Sequence, residues 1–346
     1  MRRILLAAVV LAAGCSDALE QTSSAGQVVA VVSDPENSVS FVSATDFSIE
    51  TVAMQTRTAV TSAAGRGTVV LVLLGLIDSL AVVRTPGYCT VGLCVPQVVL
   101  LPLAPGSGAS GVAIQDDSIA WVANPALNTV TRLNYLTGGA TGRSVGVHPQ
   151  AVAIVRARVF VANGNRADSA PPGPSWLSSF PCCGGAVAAD SIPLTGVDPR
   201  VLVVGDDSLL YVLEAGHPGQ SDGKLSIVDP VARTELAVVN GLGESPRAAA
   251  FHPSGRLLVG GDEILEVNTL ARSVTRGPHQ GVTTAGPVSA LVVDLRGRVY
   301  ATSSTCEFAA VGLPNVHVLS PPPDYRVIKT VTVGDCPAAA ALATKP

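Results

Sequence analysis

Five histidines, seven cysteines and a glycine-rich run are the residues of this chain whose chemistry could go beyond packing. His148 and Asp198 hold equivalent places just before a proline, in Gly146-Val147-His148-Pro149 and Gly196-Val197-Asp198-Pro199. A histidine near a carboxylate could move a proton or hold a cation. The same place elsewhere carries Ser245, Gly286 or Cys336, which adds no second base and no ring of ligands, so solvated turn residues are the plainer reading. His252 belongs to the turn Phe251-His252-Pro253-Ser254-Gly255, and His217, His279 and His317 are scattered without ligand spacing. Gly106-Ser107-Gly108-Ala109-Ser110-Gly111 lacks the lysine and the following helix of a phosphate loop, so it is expected to be a connecting turn. No zinc-protease helix motif occurs, and no cofactor is implied.

The elements that would position these residues begin with an address. Met1-Arg2-Arg3, the apolar run Ile4 to Ala13 and then Gly14-Cys15 read as a charged n-region, a short h-region and a small-residue cleavage site. The apolar run is well short of the roughly 20 residues that span a bilayer. Leu11-Ala12-Ala13-Gly14-Cys15 resembles the bacterial lipobox, with the leucine one place earlier than usual. That resemblance implies a lipoprotein signal peptide over 1–14, lipid attachment at Cys15, an acylated tether over 15–25 and a chain anchored to the cell envelope. An ordinary secretory signal would export the chain as well. Ser16 rather than Asp after the cysteine is similar to outer-membrane sorting, so the outer membrane or the periplasmic face is expected before the inner membrane. One acyl chain binds a membrane marginally, at roughly 0.8 kcal/mol per buried CH₂, whereas several together anchor it stably. Loss of Arg2 and Arg3 would leave 20 basic against 26 acidic side chains and move the net charge from -4 to -6. An acidic body of this kind argues against nucleic acid as a partner.

The whole chain is 47% hydrophobic and 14% charged, with 34 Gly and 25 Pro, the composition of many buried strands parted by tight turns. Seven segments share a turn followed by a β-rich run: GQVVAVVS from Gly26, DSLAVVRT from Asp78, DSIAWVAN from Asp117, ARVFVANG from Ala157, DSLLYVLE from Asp207, GRLLVGGD from Gly255 and GRVYATSS from Gly297. Their starts lie 52, 39, 40, 50, 48 and 42 residues apart, the period of four-stranded propeller blades. Proline-led apolar strands precede several of them, at Pro149, Pro199, Pro246 and Pro287, where a missing N–H breaks no ladder bond. The first unit lacks such a strand and the chain ends with a surplus one, Cys336 to Leu342. The expected fold is therefore all-β: one seven-bladed β-propeller over 26–346, closed by the C-terminal strand pairing with Gln27 to Ser33. Val69 to Ile77 is expected to be a buried strand rather than a membrane span.

Trp121-Val122-Ala123-Asn124 ahead of Asn128-Thr129-Val130, Phe160-Val161-Ala162-Asn163, and the Gly-x-x-Pro turns ending at Pro149, Pro199, Pro246 and Pro337 resemble the YVTN-type repeat propellers. The resemblance covers residues 26–343, least well in the second and sixth blades. It implies the fold and little about activity, because such propellers serve unrelated roles.

Six cysteines follow Cys15, an even number in an oxidising compartment, so disulfides are expected. Cys306, after the second strand of blade seven, and Cys336, in the turn entering the closing strand, should emerge on one face. A bond between them would close a loop of about 30 residues and stabilise by roughly 3 to 4 kcal/mol. Cys89 and Cys94 flank Gly92 and could form a local disulfide if the chain turns there. Cys182-Cys183 lie in an insertion, Gly164 to Gly185, and intermolecular bonding, cross-pairing with Cys89 and Cys94, or unbonded thiols all fit. No paired C-x-x-C occurs, so no metal is expected.

Loops after the second strands, Arg84 to Gly92, Gly164 to Gly185, Ala215 to Gly223 and Ser304 to Pro314, are expected on the same face as the Gly-x-x-Pro turns. Variable loops on a rigid scaffold are where binding usually lives. Trp176, Phe180 and Phe308 are candidate anchors there for a protein or small-molecule ligand, with His148 and Asp198 nearer the channel mouth. Folding back as local cores is the competing reading. Function is accordingly expected to be non-catalytic binding or scaffolding at a membrane surface, with a lactonase-like hydrolase at the channel mouth as the alternative.

Overall fold

The proline-led runs form the hub. In the computed structural model, which describes residues 26–346 apart from 35–36, 88, 91–92, 95–97, 167–171, 184–186 and 304–314, with backbone alone for 89–90 and 93–94, seven four-stranded antiparallel sheets follow one another along the chain. The strand nearest the axis is Ser62–Arg66 in blade two, Gly111–Ile114 in blade three, Pro149–Val155 in blade four, Pro199–Val204 in blade five, Ala248–His252 in blade six and Val288–Val293 in blade seven. In blade one it is the C-terminal strand, Pro337–Thr344. These seven strands touch in a closed circuit, and the protein is a seven-bladed β-propeller.

Burial follows distance from solvent within each blade. Second strands such as Ile119–Asn124 and Val69–Leu74 are buried at every position, because both their faces pack against neighbouring blades, and they read as continuous apolar runs. Fourth strands such as Ala140–Ser144 lie outermost and are largely exposed. No helix among the described residues is long and apolar enough to cross a membrane.

Ring closure falls where the surplus terminal strand places it. Gln27 pairs with Thr344, Ala30 with Ala341 and Val32 with Ala339, and a bulge then brings Ser33 opposite Pro337. Ala339, Ala341 and Ala343 join Val28, Ala30, Val32 and Phe41 in one core cluster. Backbone bonds tie the seam from both ends, Asp34 N–H to the Cys336 carbonyl at 2.9 Å and Thr344 N–H to the Gly67 carbonyl at 2.7 Å.

Blade two departs from the expectation. Its second strand is Val69–Leu74, and the run from Asp78 supplies the third, Ser79–Arg84. The reason is local: a short 3-10 turn, Gly75–Ile77, ends on Asp78 in the left-handed region (φ 46°), as Pro125–Leu127 ends on Asn128 (φ 53°) in blade three. Asp78-Ser79 is thus the counterpart of Asn128-Thr129, the entry to a third strand. A third strand runs the opposite way, so the loop beginning at Arg84 lies on the far face. It is not one of the mouth-face loops. The far-face loop carries a two-stranded ribbon in which Cys89 is the backbone partner of Cys94, so the chain does turn there.

Candidate functional site at the channel mouth

Where second strands end and the next blade's first strand begins, the seven blades converge on the mouth of the central channel. One residue per blade is set at this rim, either one place before the first paired residue (Thr61, Ser110, Arg247) or in a bulge that leaves it out of the ladder (Gln150, Arg200, Ser289, Ala338). A bulge re-aims its extra side chain. All seven line a cavity of about 290 Å³ that opens at the mouth.

Four of these side chains latch one blade to the next. Thr61 Oγ1 donates to the Ala109 carbonyl at 2.7 Å, Ser110 Oγ to the Gln150 carbonyl at 2.9 Å, Gln150 Nε2 to Asp198 Oδ1 at 2.7 Å, and Ser289 Oγ to the Pro337 carbonyl at 2.5 Å. Blades five and six break the pattern with arginines. Arg200 reaches Asp198 Oδ2 through Nε at 2.9 Å and a terminal nitrogen at 2.7 Å. Among the described residues Arg247 has as its carboxylate neighbour only Asp262, 4.0 Å away and itself 85% exposed. That separation exceeds hydrogen-bond reach. Asp198 balances Arg200, and among the described residues that line the cavity Arg247 is the charged group with no carboxylate within hydrogen-bond reach.

The predicted residues separate accordingly. Asp198 is at the mouth but is 1% exposed and held by Arg200 and Gln150, so it is a buried ion-pair partner rather than a solvated turn residue. His148 shares its left-handed backbone (φ 54° against 55°) and is half-buried, its N–H donating to Asn128 Oδ1 at 2.9 Å. No hydrogen bond joins His148 to Asp198.

Trp176 and Phe180 are not loop residues. Both belong to the third strand of blade four, Trp176–Pro181, a run without β-branched residues whose strand character the flanking prolines and cysteines hide. Trp176 is half-buried at its mouth-face end. Phe180 is fully buried, edge-on to Trp121 at 5.4 Å with the Arg143 guanidinium 3.9 Å from its centroid, so it serves the core between blades three and four and no binding face. The Cys182 and Cys183 sulfurs lie 3.1 Å apart, well beyond a disulfide bond length of about 2.05 Å. Cys336 is disulfide-bonded. Cys15, Cys306, Phe308 and the side chains of Cys89 and Cys94 lie outside the described residues, as do 1–25. The glycine-rich run from Gly106 is the expected connecting turn. Its Gly106 and Ser107 N–H groups and the Ser107 hydroxyl donate to Asp78 at 2.6 to 2.9 Å.

Two further features escape a reading of the Gly-x-x-Pro turns alone. The loop of blade five contains Gly219-Gln220-Ser221-Asp222-Gly223, the spacing of a nucleophile elbow. It is no strand-to-helix turn, and no hydrogen bond joins Ser221 to His217 or His279. Asp222 instead fastens the loop, accepting from His217 N–H at 2.8 Å and lying 2.7 Å from its Nδ1. Glu214 stands where Asn124 and Asn163 end their second strands, fully buried, with Oε2 accepting from Ser226 Oγ at 2.9 Å and Oε1 without a partner.

Burial pushes the Glu214 carboxyl up to about 7 from an ordinary 4.5. The folded chain therefore holds this proton more tightly than the unfolded chain, and the stability it confers is full below pH 4.5 and lost as pH rises through 7. At roughly 1.4 kcal/mol per pH unit the loss is a few kcal/mol at most. Glu214→Gln, which keeps the shape and removes the titration, is expected to flatten that decline. Urea unfolding of both chains at about pH 5 and pH 8 checks it.

No family model and no curated protein sequence matches the chain. Among solved structures it is similar to Kuenenia stuttgartiensis hydrazine synthase, with a TM-score of 0.63 and 11% identity over 82% of this chain and 89% of that one. Apo AztD from Citrobacter koseri gives 0.58 and 13% over 91% and 97%, and streptogramin B lyase 0.58 and 12% over 79% and 89%. At these identities the likeness establishes the propeller fold alone. The neighbours include both a synthase and a lyase, and fold does not decide among such roles.

Proposed function

We propose that this protein is an exported, lipid-anchored propeller that binds its partner without transforming it, through the mouth face. The observation that carries this reading is the composition of the mouth among the described residues: a cavity walled by hydroxyl, amide, guanidinium and small apolar groups, with no carboxylate or histidine in its lining and with Asp198 beside it already engaged by Arg200 and Gln150. A channel-mouth hydrolase needs a carboxylate or histidine free to take a proton within reach of substrate. Large exposed apolar groups on turns of adjacent blades add support, with Leu76 77%, Ile77 45%, Leu127 39% and Val147 39% exposed. Grouped apolar exposure of this kind is characteristic of contact surfaces.

Lipid attachment at Cys15, a tether over 15–25 and a Cys306–Cys336 bond that fastens the ring closure complete the reading, the last supported by the disulfide on Cys336. The Cys89–Cys94 bond is supported by their backbone pairing. The test uses the full chain made in its host. Affinity capture from solubilised membranes is expected to recover a partner with the wild type and to lose it when Cys15→Ser releases the chain from the membrane fraction. Turnover of lactone or ester substrates, abolished by Ser221→Ala or Asp198→Asn, would replace the binding reading with the enzymatic one.

A further inference from the structure

We propose that the channel mouth is a site for a small organic oxyanion, a carboxylate or phosphate monoester with a short apolar body, whose head is taken by Arg247 with Arg200 beside it. This rests on the binding reading above and gives it a ligand class.

Charge sets the sign. Among the described residues, Arg200 and Arg247 are the only charged ones lining the cavity, and the buried Asp198 offsets one of them. Donor capacity sets the chemistry. The Thr61, Ser110 and Ser289 hydroxyls and the Gln150 amide already donate to neighbouring blades, whereas a guanidinium carries five N–H donors in a planar fork. That fork matches a carboxylate or phosphate two oxygens at a time. Arg247, only distantly paired to an exposed Asp262 and 35% exposed at its side chain, has donors to give.

The walls set the body. Ala63, Leu202, Ala249, Ala290 and Ala340 line the same cavity, all half-buried and none aromatic, so the surface beside the arginines is apolar and narrow-chained. A cavity of about 290 Å³ lies at the low end of small-molecule sites, which admits a head with one short chain or ring and excludes a nucleotide.

Calorimetric titration of the purified full chain tests this with phenyl phosphate, benzoate, inorganic phosphate and neutral benzamide. Phenyl phosphate and benzoate are expected to saturate below about 10 mM, benzamide not to bind, and inorganic phosphate to bind more weakly than its phenyl ester. Arg247→Gln should weaken both organic anions at least about tenfold, and Arg247→Lys should restore part of the loss. Arg200→Gln alone would strand the buried Asp198, so Arg200 is tested together with Asp198→Asn, a pair that keeps the charge balance. No saturable binding, or binding untouched by Arg247→Gln in a chain whose melting is unchanged, would overturn the site. Equal affinity for phenyl phosphate and inorganic phosphate would overturn the apolar body. Release of phenol would overturn the non-catalytic reading and leave the oxyanion site standing.

Discussion

A chain that ends at Asp335 is expected to form no stable monomer. The missing segment is the innermost strand of blade one, and its alanines at 339, 341 and 343 are part of the same core as Val28, Ala30 and Val32. Without it the strand Gln27–Ser33, buried along its whole length, becomes an open apolar edge, the kind of surface that pairs with another copy. The seam bonds to Asp34, Gly67 and Gly26, and the latch from Ser289 to the Pro337 carbonyl, go with it. A domain's whole stability is about 5 to 15 kcal/mol, so losing one strand from the hub and exposing another exceeds what the fold can absorb. Light scattering after size exclusion should show aggregate in place of the species that the full chain forms. A truncated chain that elutes as a monomer with an unchanged urea midpoint would mean that the ring does not depend on its closing strand.

Gly65→Val is expected to be nearly as damaging, although a single position changes. Gly65 lies in the innermost strand of blade two, and a Cβ built on it would stand 1.8 Å from the Leu342 carbonyl oxygen and 2.8 Å from its carbon. Both atoms are backbone, in the closing strand, so no side chain can swing aside. Blades one and two would have to move apart, opening the core that Val70, Val72 and Leu74 share with Val28 and Ala341. Overpacking commonly costs about 1 to 3 kcal/mol, and a clash of backbone with Cβ in a ring that cannot widen at one point falls at or above that range. The urea midpoint should drop by at least a third, and Gly65→Ala should show a smaller loss of the same kind. At Gly67, where a Cβ would meet nothing, alanine should cost only the strain of its left-handed backbone (φ 52°).

The hub was legible because proline marks the one strand position that can forgo its N–H, and Pro149 and Pro199 begin their strands as that rule requires. Closure was legible because the two chain ends lack complementary pieces. Blade two was shifted by one strand because Asp78-Ser79-Leu80 has the letters of Asp117-Ser118-Ile119 but the backbone of Asn128-Thr129-Val130. The left-handed residue after a three-residue turn, which separates the two, follows from the spacing to Leu74 and Asn124 rather than from the dipeptide. Trp176 and Phe180 were misplaced for lack of β-branched neighbours. The channel-lining residue lies two places beyond the one that the Gly-x-x-Pro turn singles out. His148 and Asp198, before the proline, turn the chain, whereas the residues after it line the channel, Gln150 and Arg200 set there by a bulge and Arg247 by its place one residue ahead of the first paired position. Only the pairing across the blade fixes that register, and a Pro-Arg dipeptide repeated at Pro199 and Pro246 was its trace in the sequence.

Contact through the mouth face is the claim on which the functional account stands, and site-resolved photo-crosslinking in intact cells tests it most directly. A photoreactive residue at Leu76 or Leu127 sits on the mouth-face turns of blades two and three, and one at Leu136 or Leu270 sits on far-face turns with equal or greater exposure than Leu127. The prediction is a discrete adduct from the first pair and none from the second. Adducts from Leu136 or Leu270 alone, or none from any of the four in cells that hold the full chain, would contradict it.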